Sequence, residues 1–370
     1  MKNSKDSRRS FIQKGLVAGL TGGALLSTFG QGLNAAVDRQ SPFSNPSDLK
    51  ITDVKCGYVR GALYVKIYTN QDVWGCGEAV DAIHGTYHLV KRMGNMIKGQ
   101  SPLNPNRLAE QLRKGAFFGG AQSGVFVAVM TAIETALWDL TGKVFGVPVY
   151  QLLGGKFRDK IRVYCDTALY TSTNPTPQDY AKAARGAVDR GSTAEKFDVD
   201  DARDPNKYDR FNWTANPMEI ERMYNAIAAV RQEVGPNIDI CVDMHGRYDA
   251  VTGLKMAKMY EDLNLMFLEE PIPADNPEVY KSITTQTSTP ICTGENIYLA
   301  YGFTRLLSES AIDIIMPDIQ KAGGLGEAQR IANLANLYYV PFAPHMVASF
   351  LGAMASCHVC ASVPNFMIME

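Results

Sequence analysis

The sequence predicts an α/β protein in which a closed (β/α) barrel is preceded by a smaller α+β unit. Three observations carry this. From about residue 161 onward, eight short apolar runs recur, separated by stretches of helical character. Polar residues close most of these runs at a nearly constant interval. Residues 51–158 instead show an alternating hairpin pattern followed by one long apolar helix. A chain of 370 residues suits one large domain plus a smaller one, and 46% apolar against 20% charged residues can build a sizeable soluble core.

The first 36 residues differ from the rest. In "SRRSFIQK", Arg8 and Arg9 precede Phe11 and Lys14, and the mildly apolar "GLVAGLTGGALLSTFG" follows. "LNAA" then offers a small-residue cleavage site near Ala35 or Ala36. This is the pattern of a twin-arginine-type signal peptide, with a disordered basic tail as the competing reading. The segment is too short and glycine-rich to span a membrane. Export would make the protein periplasmic, with no stable membrane association afterwards. Residues 37–50, with "VDRQSPFSNPSD", read as a linker.

In 51–158, "LYVKIYT" places Leu63, Val65 and Ile67 on one face, and "NQD" supplies a turn before "VWGCGEAV". "GVFVAVMTAIETALWDLTGKVFG" reads as a long helix closed by lysine and glycine. The barrel strands follow as "IRVYCD", "AEKFDV", "IDICVD", "LMFLEE", "PICTGE", "IDIIMPD", "VPFAPH" and "FMIME". A doubly wound open sheet is the competitor, but no GxGxxG follows the first strand. A formal charge of −1 gives no reason to expect nucleic acid as a partner. The seven cysteines read mostly as buried small hydrophobes, Cys165, Cys241 and Cys292 especially. "SCHVCAS", with Cys357, His358 and Cys360, suits a face of a core helix better than a metal site. A Cys56–Cys76 disulfide is left open.

Asp243, Glu269, Glu295, Asp318, His345 and Glu370 end successive strand candidates, at separations of 26, 26, 23, 27 and 25 residues. One such residue per strand-plus-helix unit puts all six on the rim where barrel active sites lie. Three converging carboxylates, Asp243, Glu269 and Glu295, would repel one another unless a cation lies between them. Mg²⁺ prefers oxygen ligands and keeps positions for substrate and water. The bland alternative is three capping or salt-bridged carboxylates. Asp318 beside His345 is the pairing expected of a general base.

"VDMHGRYD", "FLEEPIP", "TGENIY", "IIMPDIQKAGGL" and "PFAPH" together resemble the enolase superfamily. Within it they are most similar to the mandelate racemase subgroup and its sugar-acid dehydratases of galactonate and gluconate type. The resemblance covers residues 51–370, including "ALWDLTGKVFGVPVYQLLGG". It implies an α+β capping domain (51–158) over a (β/α)7β barrel (159–370) and one Mg²⁺ per site, held by Asp243, Glu269 and Glu295. His345 with Asp318 would take the proton α to a carboxylate, and Glu370 would hydrogen-bond the substrate carboxylate as charge develops. Residues two apart on a strand share a face, so His245 is expected in the pocket of Asp243. The resemblance makes it the general acid that protonates a departing β-hydroxyl, a group a racemase does not need.

Lys196 and Asp198 stand where racemases of this subgroup have two lysines. Lys196 is expected on the substrate carboxylate, and Asp198 either on a substrate hydroxyl or paired with Lys196. The loop 201–217 suits a polyhydroxylated anion or is simply a solvated surface. "CGYVRGALY" looks short for a segment that often covers the substrate, and His84 and His88 have no assigned role. The chain stops on its eighth strand, where the family continues towards the capping domain, so the expectation is a C-terminal truncation. The resemblance thus implies dehydration of an aldonate-type acid sugar to a 2-keto-3-deoxy acid by a symmetric homo-oligomer. A racemase, epimerase or cycloisomerase on the same site, or a non-catalytic periplasmic binding protein, are the rivals.

Overall fold

The computed structural model describes residues 45–370, apart from 83, 84, 168, 170–173, 202, 203, 205, 206, 208 and 210. The 1–36 segment, residues 37–44 and His84 therefore lie outside the described residues. The end of the linker packs onto the smaller domain: Leu49 is buried beside Leu140 and Val144, and the Lys50 N–H donates to Asn70 Oδ1.

Three antiparallel strands, β1 (Ile51–Val59), β2 (Ala62–Thr69) and β3 (Trp74–Ala79), form the smaller domain's sheet in the order β1-β2-β3. Leu63, Val65 and Ile67 of β2 face its core, as alternation requires. Helices α1 (Tyr87–Ile97), α2 (Pro105–Gly115) and α3 (Gly124–Phe145) cover that face. Helix α3 is long and apolar enough to cross a membrane, yet it is mostly buried as the central helix of this domain. Its backbone lies directly on β3. A Cβ at Gly75 or Gly77 would sit 2.0 Å from the Ala136 or Ala132 carbonyl oxygen, so only glycine fits either position. Cys56 and Cys76 are free thiols, as are the other five, so no disulfide forms. Helix α4 (Val149–Leu152) leads out of the domain.

The barrel runs β4 (Cys165–Asp166), α5 (Pro177–Asp189), β5 (Ala194–Asp198), α6 (Pro217–Val234), β6 (Asp239–Asp243), α7 (Ala250–Met259), β7 (Phe267–Glu269), α8 (Pro277–Thr284), β8 (Ile291–Thr293), α9 (Leu299–Ser308), β9 (Ile314–Ile315), α10 (Leu325–Leu337) and α11 (Phe350–Ser362). Strands β4 to β9 are parallel and adjacent in chain order. Parallel bridges Ile315–Phe342, Phe342–Phe366 and Val163–Met369 supply the last two positions and close the ring. This is the (β/α)7β arrangement. "SCHVCAS" lies on α11, where His358 Nδ1 accepts the Tyr150 N–H and Cys360 is buried; it is packing, not a metal site.

Two buried carboxylates fasten the smaller domain to the barrel. Glu78 of β3 accepts the Ser349 and Gly352 N–H groups (2.9 and 3.0 Å) and the Ser349 hydroxyl (2.6 Å) at the start of α11. Glu134 of α3 accepts Leu325 and Gly326 N–H (2.8 and 2.9 Å) at the start of α10, and Trp138 Nε1–H (2.6 Å). Each satisfies orphan donors at a helix N-terminus, where negative charge is favoured. Burial pushes the Glu134 carboxyl up to about 7, against the pull of the Gly326, Trp138 and Leu325 donors.

A folded Glu134 that titrates near 7 binds more protons than an unfolded one near 4.5. Its contribution to stability is therefore full at pH 4–5 and declines as pH rises to about 7, by up to about 3 kcal/mol. Urea unfolding of Glu134→Gln, which cannot ionise, should show a flatter stability profile between pH 5 and 8 than the wild type. Parallel profiles would exclude this titration.

Candidate active site

Period-two alternation builds the site from a floor upward. Ala194, Cys241, Phe267, Met316, Ala343 and Ile368 form a buried apolar layer inside the barrel. Two residues further along each segment come Lys196, Asp243, Glu269, Asp318, His345 and Glu370, on the same inward face. Glu295 reaches the group by a different route. Gly294 takes φ 145°, and a Cβ there would lie 2.8 Å from Phe303 and 2.9 Å from the Met316 backbone, so the chain turns at a position only glycine can fill. One carboxylate oxygen from each of Asp243, Glu269 and Glu295 falls within 4.8 Å of the others.

His245 is brought in by a turn, not by strand alternation. β6 ends at Asp243, and His245 and Gly246 adopt left-handed φ values of 47° and 60°. The His245 N–H donates to Asp243 Oδ1 at 2.7 Å. Its Nδ1 meets Asp200 Oδ1 at 2.8 Å, and Nε2 faces Asp243 Oδ2 at 3.5 Å. On the other side, His345 Nδ1 meets Asp318 Oδ2 at 2.7 Å. Its Nε2 meets Glu295 Oε2 at 2.8 Å and lies 3.5 Å from Glu370 Oε2. Two imidazoles thus flank one carboxylate cluster, each held at Nδ1 by an aspartate.

Lys196 lies at the centre, 3% exposed, with Nζ 3.3 Å from Asp243, 3.2 Å from Glu269 and 3.0 Å from Glu370. Burial opposes its charge, but Glu269, Asp243 and Glu370 raise its pKa well above the ordinary lysine value. The expected alternative pairing with Asp198 is not formed, because these three carboxylates claim the ammonium. Burial and then the Asp243 charge push the Asp198 carboxyl up to about 6, with His245 opposing.

Burial and the Asp243 charge raise Glu269 well above the usual carboxylate range. Burial works the same way on Glu295, but the His345 hydrogen bond and charge overcome it and bring that carboxyl down to about 2. Burial opposes protonation of both histidines. Hydrogen bonds to Asp318 and Glu295 outweigh it for His345, and the hydrogen bond to Asp200 and the Asp243 charge bring His245 up to about 10. Glu370 is buried, yet Lys196 and His345 lower its pKa, and its Oε2 accepts the Met346 N–H at 3.1 Å. It stands here as an acceptor.

The donor set fits a hard divalent cation. Asp243, Glu269 and Glu295 offer only carboxylate oxygens, and Glu269 Oε1 is buried with no hydrogen-bond partner. A buried carboxylate oxygen without a partner is costly, and the repulsion that raises Glu269 would be relieved by a cation among the three carboxylates.

Several contributors were not visible in the sequence. Asp200 follows β5 in an acidic run without a marker of its own. Asn296 donates to Glu295 Oε1 (2.9 Å) and Glu270 Oε2 (3.1 Å), while Lys321 donates to Asn296 Oδ1 (3.0 Å) and Asp81 (2.6 Å). The duplicated acid in "FLEEP" was the available signal for Glu270. His88 is exposed on α1, edge-on to Tyr87. Part of the 201–217 loop lies outside the described residues; within the rest, Lys207 pairs with Glu219 at 3.1 Å and Phe211 is exposed.

A capped (β/α)7β barrel carrying clustered carboxylates and two aspartate-held histidines on its C-terminal rim defines a class of barrel enzyme. Residues 37–154 match the mandelate racemase/muconate lactonizing enzyme N-terminal domain, and residues 179–370 match the enolase C-terminal domain-like family. A D-xylonate dehydratase of Haloferax volcanii is 38% identical over 90% of this chain and 81% of that protein. A D-galactonate dehydratase of Variovorax paradoxus is 31% identical over 80% and 74%. The crystal structure of a mandelate racemase/muconate lactonizing enzyme-like protein from Rubrobacter xylanophilus superposes with a TM-score of 0.84, at 40% identity, over 87% of this chain and 86% of that one. The chain belongs to the mandelate racemase/muconate lactonizing enzyme branch of the enolase superfamily.

Replacing Lys196 by Met removes the buried counter-charge of Asp243, Glu269 and Glu370. Unfolding in EDTA should show a loss of about 3–5 kcal/mol, and added Mg²⁺ should restore more stability to Lys196→Met than to the wild type. Equal stability in EDTA would show that Lys196 does not neutralise the cluster.

Proposed function

We propose that this protein is a Mg²⁺-dependent dehydratase that converts an aldonate-type acid sugar to a 2-keto-3-deoxy acid. The observation that carries this is the pair of imidazole Nε2 atoms beside two different carboxylates of one cluster, His345 at Glu295 and His245 at Asp243. Elimination of water needs both a base for the α-proton and an acid for the β-hydroxyl, since hydroxide is a poor leaving group. The relatives named as D-xylonate and D-galactonate dehydratases support the same reading.

Asp243, Glu269 and Glu295 would hold the ion, which supplies positive charge to offset the enediolate. With Glu295 engaged as a ligand, His345 Nε2 is left to take the α-proton, while Asp318 keeps Nδ1–H and the ring orientation. Lys196 presents the ammonium for the substrate carboxylate, a donor role that Glu370 can share only when protonated. His245 then gives its Nε2 proton to the β-oxygen, the C–O bond breaks, water leaves, and the enol becomes the ketone. Asp198, next to His245, offers an acceptor for a substrate hydroxyl.

Asp198 in place of a second lysine leaves no base of the racemase kind opposite His345, which weighs against racemisation and epimerisation. The intact acid–base set weighs against a binding protein. The Arg8–Arg9 pattern supports export to the periplasm, and the family's habit supports a homo-oligomer.

A screen of five- and six-carbon aldonates should give a 2-keto-3-deoxy acid from at least one substrate with Mg²⁺ and none in EDTA. Deuterium washing into recovered substrate without keto acid would favour an epimerase, and calorimetric binding without turnover a binding protein. His245→Asn should lose dehydration by about 10²–10⁴-fold, the usual contribution of a positioned acid, yet still exchange the α-proton. Loss of both, in a folded variant that binds Mg²⁺, would remove His245 as the acid.

A further inference from the structure

We propose that Asp200 is the positioning residue of the proton donor: it accepts the Nδ1–H of His245 and thereby keeps Nε2 turned into the site. The inference rests on the dehydratase reading for its kinetic consequence but on geometry alone for the contact.

His245 needs an external restraint. It stands beyond the end of β6 on a left-handed turn, followed by Gly246 with positive φ, so no strand ladder sets its direction. Its ring has two polar atoms, and a free imidazole could present either one to the site. The Asp200 carboxylate removes that choice. Its Oδ1 lies 2.8 Å from Nδ1, and because a carboxylate can only accept, Nδ1 must carry the hydrogen. Nε2 is then the atom left facing Asp243 Oδ2 at 3.5 Å.

Asp200 is itself held. Its side chain is 5% exposed, and its Oδ2 pairs with Arg247 Nε at 2.5 Å, so one oxygen is anchored while the other serves His245. The arrangement repeats, across the cluster, what Asp318 does for His345 at 2.7 Å. The two dyads differ in their carriers. Asp318 and His345 come from adjacent staves of the barrel, whereas Asp200 comes from the loop after β5 and His245 from the turn after β6. The acid is thus aimed by loops and the base by the barrel frame. In the reaction, Asp200 keeps Nδ1–H throughout, and the proton that reaches the departing oxygen leaves from Nε2.

Asp200→Asn preserves shape and removes the charge; Asp200→Ala removes the contact. In ¹⁵N-histidine-labelled protein, with His245 assigned by its absence in His245→Asn, the His245 Nδ1–H signal should be lost or shifted in both variants while that of His345 persists. For dehydration, kcat should fall about 10²-fold, within the range a positioned acid contributes, with KM changed less than about threefold. Exchange of the α-proton in D2O should stay near the wild-type rate. An unchanged His245 spectrum, wild-type dehydration, or parallel loss of exchange and dehydration would each overturn the proposal. If the wild type dehydrates no acid sugar, the activity reading fails, and the histidine spectrum by itself decides whether Asp200 orients His245.

Discussion

The structure is organised around the cost of holding like charges together out of water. Asp243, Glu269, Glu295 and Glu370 converge inside a barrel whose floor is apolar, where their mutual repulsion is poorly screened. Each neighbour reads as an answer to that problem. Lys196 places one ammonium against three of the carboxylates, His345 engages Glu295, and Asn296 donates to the same group. Glu269 Oε1 remains unanswered, and its orphan state is the strongest structural reason to expect a cation there.

The same charges set the chemistry. A histidine buried alone would shed its proton, but each of these two faces carboxylates that hold the proton in place. In the proposed dehydration, which one serves as base and which as acid would depend on what else claims their partners. Glu295 is a candidate metal ligand, so His345 can lose an anionic neighbour to the ion. His245 keeps Asp200 and the Arg247 contact behind it. Similar dyads would thereby serve the opposite tasks that the proposed reaction asks of them.

The smaller domain takes part through two carboxylates of its own. Glu78 and Glu134 cap the helices that follow the Phe342 segment and β9, the same units that carry His345 and Asp318. The His345–Asp318 dyad therefore stands on barrel units tied to the cap at their helix starts. A strand carrying Gly75 and Gly77 lets α3 lie close enough for Glu134 to reach across.

Much of this was legible before any fold was known. Alternation in "LYVKIYT" and "IDICVD", and the recurrence of polar residues about every 25 positions, follow from backbone periodicity. They were sufficient for the barrel, for the rim positions of Asp243, Glu269, Asp318, His345 and Glu370, and for the His345–Asp318 pairing, whereas Glu295 is delivered by the turn at Gly294. What the sequence did not determine depends on contacts between distant segments or on backbone that leaves the regular period. His245 was placed in the right pocket for the wrong reason, since its direction comes from a left-handed turn. The Lys196–Asp198 choice was settled by carboxylates 47 to 174 residues away from Lys196. Asp200, Asn296 and the Glu78 and Glu134 clamps carry no local signature, because a polar side chain on a loop, strand or helix looks alike in sequence whether it faces water or a buried partner. Periodicity is a local property and is written along the chain; the partner of a buried charge is a property of the closed barrel.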